Sequence, residues 1–308
     1  MKNLSFLTSL LLFSAIASAQ LSKSDYAALQ QREDSMKAYA IAIVRAENPE
    51  ERAYADSIFT RMFVRALVTP YSFDYPFDSL VSISRLAPPD SSFKIFTWQL
   101  AISDDNVRKH GAIQMRTKDG ALKLFPLIDR TKNMQSPEDS VGNNLNWVGA
   151  LYYKIVPKKA GKKTYYTLIG FDDYDMRIDR KIVDVLTFRD GEPEFGGNYF
   201  SIPDNDLKKK GIARYIMTFK KASSPKLNYD PEMDMIILEH LVSESGEPEK
   251  KYTYIPDGDY DGLKWKNGKW VFVKKLFTET TPEGKEPVPL PILDKKGNGK
   301  FDTKGNNN

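Results

Sequence analysis

Apolar residues recur three and four positions apart in the early part of the chain and alternate with polar ones through most of the rest. Met36, Tyr39, Ala40 and Ile43 share one helical face with charges between them, which predicts a first helix. A second helix is predicted from Asn48, whose side chain suits an N-cap, with Pro49 in the first turn and Glu51 placed to complete a capping box. Tyr54, Ile58 and Met62 then form one stripe, widened by Phe59, Phe63 and Leu67, and the pattern stops near Thr69-Pro70.

From about Leu80 the period falls to two, and short strands alternate with Gly, Pro, Asn and Asp turns. Asp119-Gly120 reads as a two-residue hairpin turn joining 112–117 to 121–125. That register would put Ile113 and Met115 on one face with Leu122 and Leu124, and Arg116, Lys118 and Lys123 on the other. Further strands are predicted at 150–156, 165–171, 181–188, 214–220, 233–242 and 252–255. A last hairpin spans 263–273, where the Asn267-Gly268 turn sets Trp265 opposite Trp270 and Leu263 opposite Phe272.

The expected fold class is therefore α+β, mostly β. An N-terminal helical pair, within residues 20–70, packs on a large antiparallel β structure over 71–277, a sandwich or distorted barrel. Residues 278–308, with Pro287, Pro289 and Pro291 followed by a Lys, Gly and Asn-rich stretch, are expected to form a flexible tail.

The extreme N-terminus adds an address. Lys2, an apolar run from Leu4 to Ile16 and the triplet Ala17-Ser18-Ala19 before Gln20 have the layout of a cleavable signal peptide over residues 1–19. No later stretch reaches membrane-spanning length, so the mature chain is expected to work outside the cytoplasm without a membrane span. The chain contains no cysteine, which excludes disulfides, thiolate metal sites and a lipidated cysteine at the cleavage point. A formal charge of +4 is too mild to point to a polyanionic partner. The short basic clusters at Lys158-Lys159, Lys162-Lys163 and Lys208 to Lys210 read as solvated turns, and no nucleic-acid partner is expected.

Candidate chemistry is sparse. Asp172, Asp173 and Asp175 follow a strand end, and with Glu239 they are the candidate carboxylates for a hydrolase, which needs two such groups flanking one bond. Asp257, Asp259 and Asp261 match the first half of a calcium loop, but Gly268 stands where the closing Glu belongs. A structural calcium is the only cofactor the sequence suggests. Asp294 to Asp302 is a poorer version of the same pattern, with Lys296 at a ligand position. Trp265 and Trp270 could offer a sugar-binding platform or belong to the core. The two histidines, His110 and His240, have no metal-site spacing, and His240 reads as a structural residue with Glu239 on the opposite strand face. Ser91 with Lys94, and Ser223 with Lys226, have S-x-x-K spacing without the companion motifs of penicillin-recognising enzymes.

From Tyr165 onward an ordered set of segments resembles a family of uncharacterised secreted Bacteroidota proteins: YYTLIGFD at 165–172, KIVDVLTF at 181–188, EFGG at 194–197, MIILEHL at 235–241 and YDGLKW at 260–265. The resemblance implies a Gram-negative cell, hence periplasm or cell surface, and carries no assigned activity. The resulting expectation is a non-catalytic exported binding or envelope-associated protein with a glycan, peptide or protein ligand. The alternative is an Asp/Glu-dependent hydrolase of cell-wall or other polysaccharide.

Overall fold

The computed structural model describes residues 20–103, 105–202 and 212–277, together with the backbone of 292–293 and 299–300. The signal segment, the Lys208 to Lys210 cluster and nearly all of the expected tail and its Asp294 to Asp302 pattern lie outside the described residues. Two α-helices precede fifteen strands in three sheets, a mostly-β α+β fold. Apart from these, Ile292–Leu293 pairs antiparallel with Gly299–Lys300.

Helix α1 (Lys23–Arg45) starts at Ser22, whose hydroxyl accepts from the Asp25 amide at 3.0 Å. Helix α2 (Pro49–Leu67) starts where its sequence places it: Pro49 opens it and the Asn48 side chain accepts from the Glu50 amide at 2.9 Å, but Glu51 does not bond back to Asn48 and the expected capping box is not formed. Its buried stripe runs through Phe59, Phe63, Ala66 and Leu67. Tyr54, expected at the head of the stripe, is 63% exposed, and the neighbouring Ala55 and Asp56 turn inward instead. Glu33 of α1 is buried and anchors the connection after α2, accepting from the Tyr75 hydroxyl at 2.5 Å and the Ser79 amide at 2.7 Å.

The strands are β1 (Ser84–Leu86), β2 (Phe93–Ser103), β3 (Asn106–Met115), β4 (Lys123–Ile128), β5 (Gly142–Asn143), β6 (Leu151–Ala160), β7 (Lys163–Asp173), β8 (Ile178–Arg189), β9 (Glu192–Phe195), β10 (Phe200–Ser201), β11 (Tyr215–Lys220), β12 (Leu227–Asp230), β13 (Met235–Ser243), β14 (Tyr254–Lys266) and β15 (Lys269–Val273). The first sheet has the order β1-β2-β3-β4. The second runs β5-β9-β8-β7-β6, with β11 also on β8, and the third runs β10-β15-β14-β13-β12. Pairing is antiparallel except between β10 and β15.

Three apolar cores stack the layers in series. Side chains of a strand alternate between its two faces, so a strand between two cores must be apolar on both. In β2, Phe96, Trp98 and Leu100 face the helices, while Phe93 and Ile95 face the second sheet. In β8, Ile182 and Leu186 face the first sheet, while Val183 and Val185 meet Leu263 and Trp270 of the third.

The β3–β4 hairpin departs from the sequence reading. Ile113 pairs with Phe125 and Met115 with Lys123, so the connection is a long loop and the register is shifted by one. Leu122 and Leu124 consequently pack toward the helices, away from the face of Ile113. The loop is held elsewhere: the Gly120 carbonyl accepts from the Tyr71 amide at 3.0 Å, and Asp119 accepts from the Ala121 amide at 3.1 Å. The β14–β15 hairpin has the expected register, with Trp265 opposite Trp270 and Leu263 opposite Phe272. Asn267 and Gly268 both adopt positive φ, as the turn demands. Among the described residues, no helix is long and apolar enough to cross a membrane.

Candidate functional site

A cleft of about 580 Å³ opens beside β3 and β4, within the size range of small-molecule sites. Trp98, His110 and Thr60 line one part of it. Arg108, Asp129, Arg130 and Lys132 line another.

His110 is held by a group the helix supplies. Asp56 sits on the buried face of α2, and its Oδ1 accepts from Trp98 Nε1 at 2.7 Å and lies 3.1 Å from His110 Nδ1. The indole and imidazole rings meet edge to face at 5.7 Å. With Nδ1 engaged by a carboxylate, the tautomer and ring orientation are set, and Nε2 remains as the ring's second polar atom. Gly111 follows because a Cβ there would stand 2.6 Å from the Phe96 carbonyl, so β2 and β3 approach closely beside the imidazole.

The floor is knotted by Asp129. Its Oδ2 accepts from the Lys109 amide at 3.1 Å, and its Oδ1 accepts from the Thr131 amide at 2.9 Å and hydroxyl at 2.6 Å. Thr131 Oγ1 in turn accepts from the Gly149 amide at 2.8 Å. A Cβ on Gly149 would lie 2.5 Å from the Asp129 carboxyl carbon, which reserves the position for glycine. The carboxylates of Asp56 and Asp129 are therefore occupied by protein donors. The Lys109 ammonium leaves the cleft altogether and pairs with buried Asp172, also donating to the Asp173 carbonyl at 2.9 Å. Three cationic side chains, Arg108, Arg130 and Lys132, remain on the lining, and the last also donates to the Asp105 carbonyl at 2.8 Å.

The carboxylates singled out from sequence do not converge here. Asp172 is wholly buried with Lys109 as its counter-ion, and burial pushes its pKa up despite that cation. Asp173 pairs with Lys221 at 2.6 Å, while Asp175 caps the turn through the Arg177 and Ile178 amides. Across the hairpin from Asp173 stands Asp179, raised to about 6 by burial and then by the Asp173 charge. Glu239 lies in the third sheet, accepting from the Lys226 amide at 2.6 Å and the Tyr260 hydroxyl at 3.2 Å.

The acidic loop is likewise occupied. Asp257 Oδ2 lies 2.8 Å from His240 Nδ1, Asp259 pairs with Lys275 at 3.3 Å, and Asp261 accepts from the Lys275 amide at 2.9 Å. Burial acts against the Asp257 charge, but hydrogen bonds from His240 and the Asp259 amide hold its pKa below the ordinary value. Among the described residues, no three His, Asp or Glu side chains are grouped to hold a metal ion. His240 sits at a β-bulge between Glu239 and Leu241, so the regular alternation expected of this strand fails and both residues line one cavity of about 270 Å³.

Trp270 is fully buried, with Nε1 donating to Thr167 Oγ1 at 2.9 Å, so it belongs to the core and offers no sugar platform. Trp265 is half-buried and edge-on to it at 5.3 Å.

Comparison of the chain with protein-family models, with curated proteins and with solved structures finds no match.

Proposed function

We propose that the chain is an exported, non-catalytic binding protein of the cell envelope, and that the His110 cleft takes a small ligand carrying a carboxylate, sulfate or phosphate. The carrying observation is the lining: Arg108, Arg130 and Lys132 border a cavity of about 580 Å³ in which the adjacent carboxylates already have protein partners. An arginine guanidinium presents paired donors that match a carboxylate or phosphate, and a concave site strengthens such charge-assisted bonds. Export is supported by the signal-like residues 1–19 and by the resemblance to secreted proteins.

Isothermal titration of the mature chain with glucuronate and with glucose tests the reading. Binding of glucuronate, weakened at least about tenfold by Arg130→Glu, is expected. Equal heats from both sugars, or glucuronate binding that survives Arg108→Glu and Arg130→Glu, would overturn it.

A further inference from the structure

We propose that the ends of two hairpins form a second binding site, separate from the His110 cleft, for an acidic polysaccharide. The β6–β7 turn carries Lys158, Lys159, Lys162 and Lys163 around Gly161. The β14–β15 turn carries Lys264, Lys266 and Lys269 around Asn267-Gly268, and neither 158–163 nor 264–269 contains a carboxylate. Far apart in the chain, the two turns touch in space. Trp265 Nε1 donates to the Lys159 carbonyl at 3.1 Å, and a Cβ on Gly268 would lie 3.3 Å from that of Ala160.

Among these ammoniums, Lys158 is directed to Asp234 and Lys264 to the Met233 carbonyl. Lys159, Lys162, Lys163 and Lys266 are exposed, and Lys269 donates to the Asn198 side chain at 3.0 Å. Concentrating like charges costs free energy that an anionic partner recovers.

Beside the lysines runs a row of half-buried rings. Tyr199 and Tyr165 lie 5.2 Å apart, Tyr165 and Trp265 5.6 Å, and the row ends on buried Trp270. The Lys163 ammonium stands 5.1 Å from the Tyr165 ring centre. The exposed parts of these rings, which pack edge-on or tilted to one another at 51° to 68°, together with the ammoniums suit a chain of sugar rings bearing carboxylates or sulfates, since the rings take apolar contact and the lysines take the charges. A bilayer is disfavoured because the one large apolar side chain of the two turns, Trp265, is half-buried and tied by its Nε1 to the Lys159 carbonyl, so it is not free to insert.

The test is binding of the full mature chain to polygalacturonate, with dextran, phosphatidylserine vesicles and single-stranded DNA as the other arms. Binding to polygalacturonate is expected to weaken with salt, to fall at least about tenfold in Lys159→Glu/Lys163→Glu/Lys266→Glu, and to fall in Trp265→Leu. It should persist in Arg130→Glu, which separates this surface from the cleft. Thermal unfolding checks each variant, and the exposed lysine changes keep the test valid if Trp265→Leu fails to fold. Equal binding to dextran, preference for vesicles or DNA, or full binding by the triple lysine variant would overturn the proposal.

Discussion

His110 Nδ1 lies 3.1 Å from Asp56 Oδ1, and the same oxygen accepts from Trp98 Nε1 at 2.7 Å, so one buried carboxylate holds both rings at the edge of the cleft. Asp56→Ala leaves the buried indole N–H without its acceptor and is expected to cost about 1–3 kcal/mol in urea unfolding. Asp56→Asn, which keeps a carbonyl oxygen, is expected to cost less. A loss under about 0.5 kcal/mol in the alanine variant would mean that the group does not organise the site.

The Lys109–Asp172 pair bridges the first and second sheets with almost no exposure to water. Removing one partner strands a buried charge, so Lys109→Met is expected to lower stability by about 3–5 kcal/mol. Replacing both, as in Lys109→Met/Asp172→Leu, should recover most of that loss. Chemical denaturation of the two variants distinguishes this account from simple packing loss, in which the double variant would be the worse.

Asp179 gives the fold a pH dependence with a definite sign. Its folded pKa is raised from 3.8 to about 6 by burial and by Asp173, with Asp172 adding to the rise and Lys221 opposing it. The folded state therefore holds the proton more tightly than the unfolded chain. Its stabilising contribution is fully present below about pH 4 and is lost as pH rises through about 6. Melting temperatures of the parent and Asp179→Asn from about pH 4.5 to about pH 7.5 check this. The variant should gain relative to the parent as pH rises, and parallel curves would contradict the assignment.

The elements that depend on local chemistry were readable in the chain. Asn48-Pro49 specified the start of α2, and Asn267-Gly268 specified both the turn and the Trp265–Trp270 pairing. The three-layer stacking of sheets was not readable, because β2 and β8 are apolar on both faces and alternation cannot say which core each face enters. The Asp119-Gly120 signal was overridden by a long-range bond from Tyr71, which no local rule contains. The cleft was missed for a related reason: Asp56, His110 and Arg130 come from a helix, a strand and a loop that only the packing brings together. One trace existed, a carboxylate at Asp56 between Ala55 and Phe59 on a helix face that is otherwise apolar.

The chain has two histidines, each with Nδ1 against an aspartate, and only one of them lines the cationic cleft. Imidazole nitrogen NMR signals of the mature chain, followed while glucuronate is added, therefore report on the central claim directly. Saturable shifts of the His110 ring, with those of His240 unchanged and glucose silent, are the predicted result. A His110 ring that ignores glucuronate, or responds equally to glucose, would contradict it.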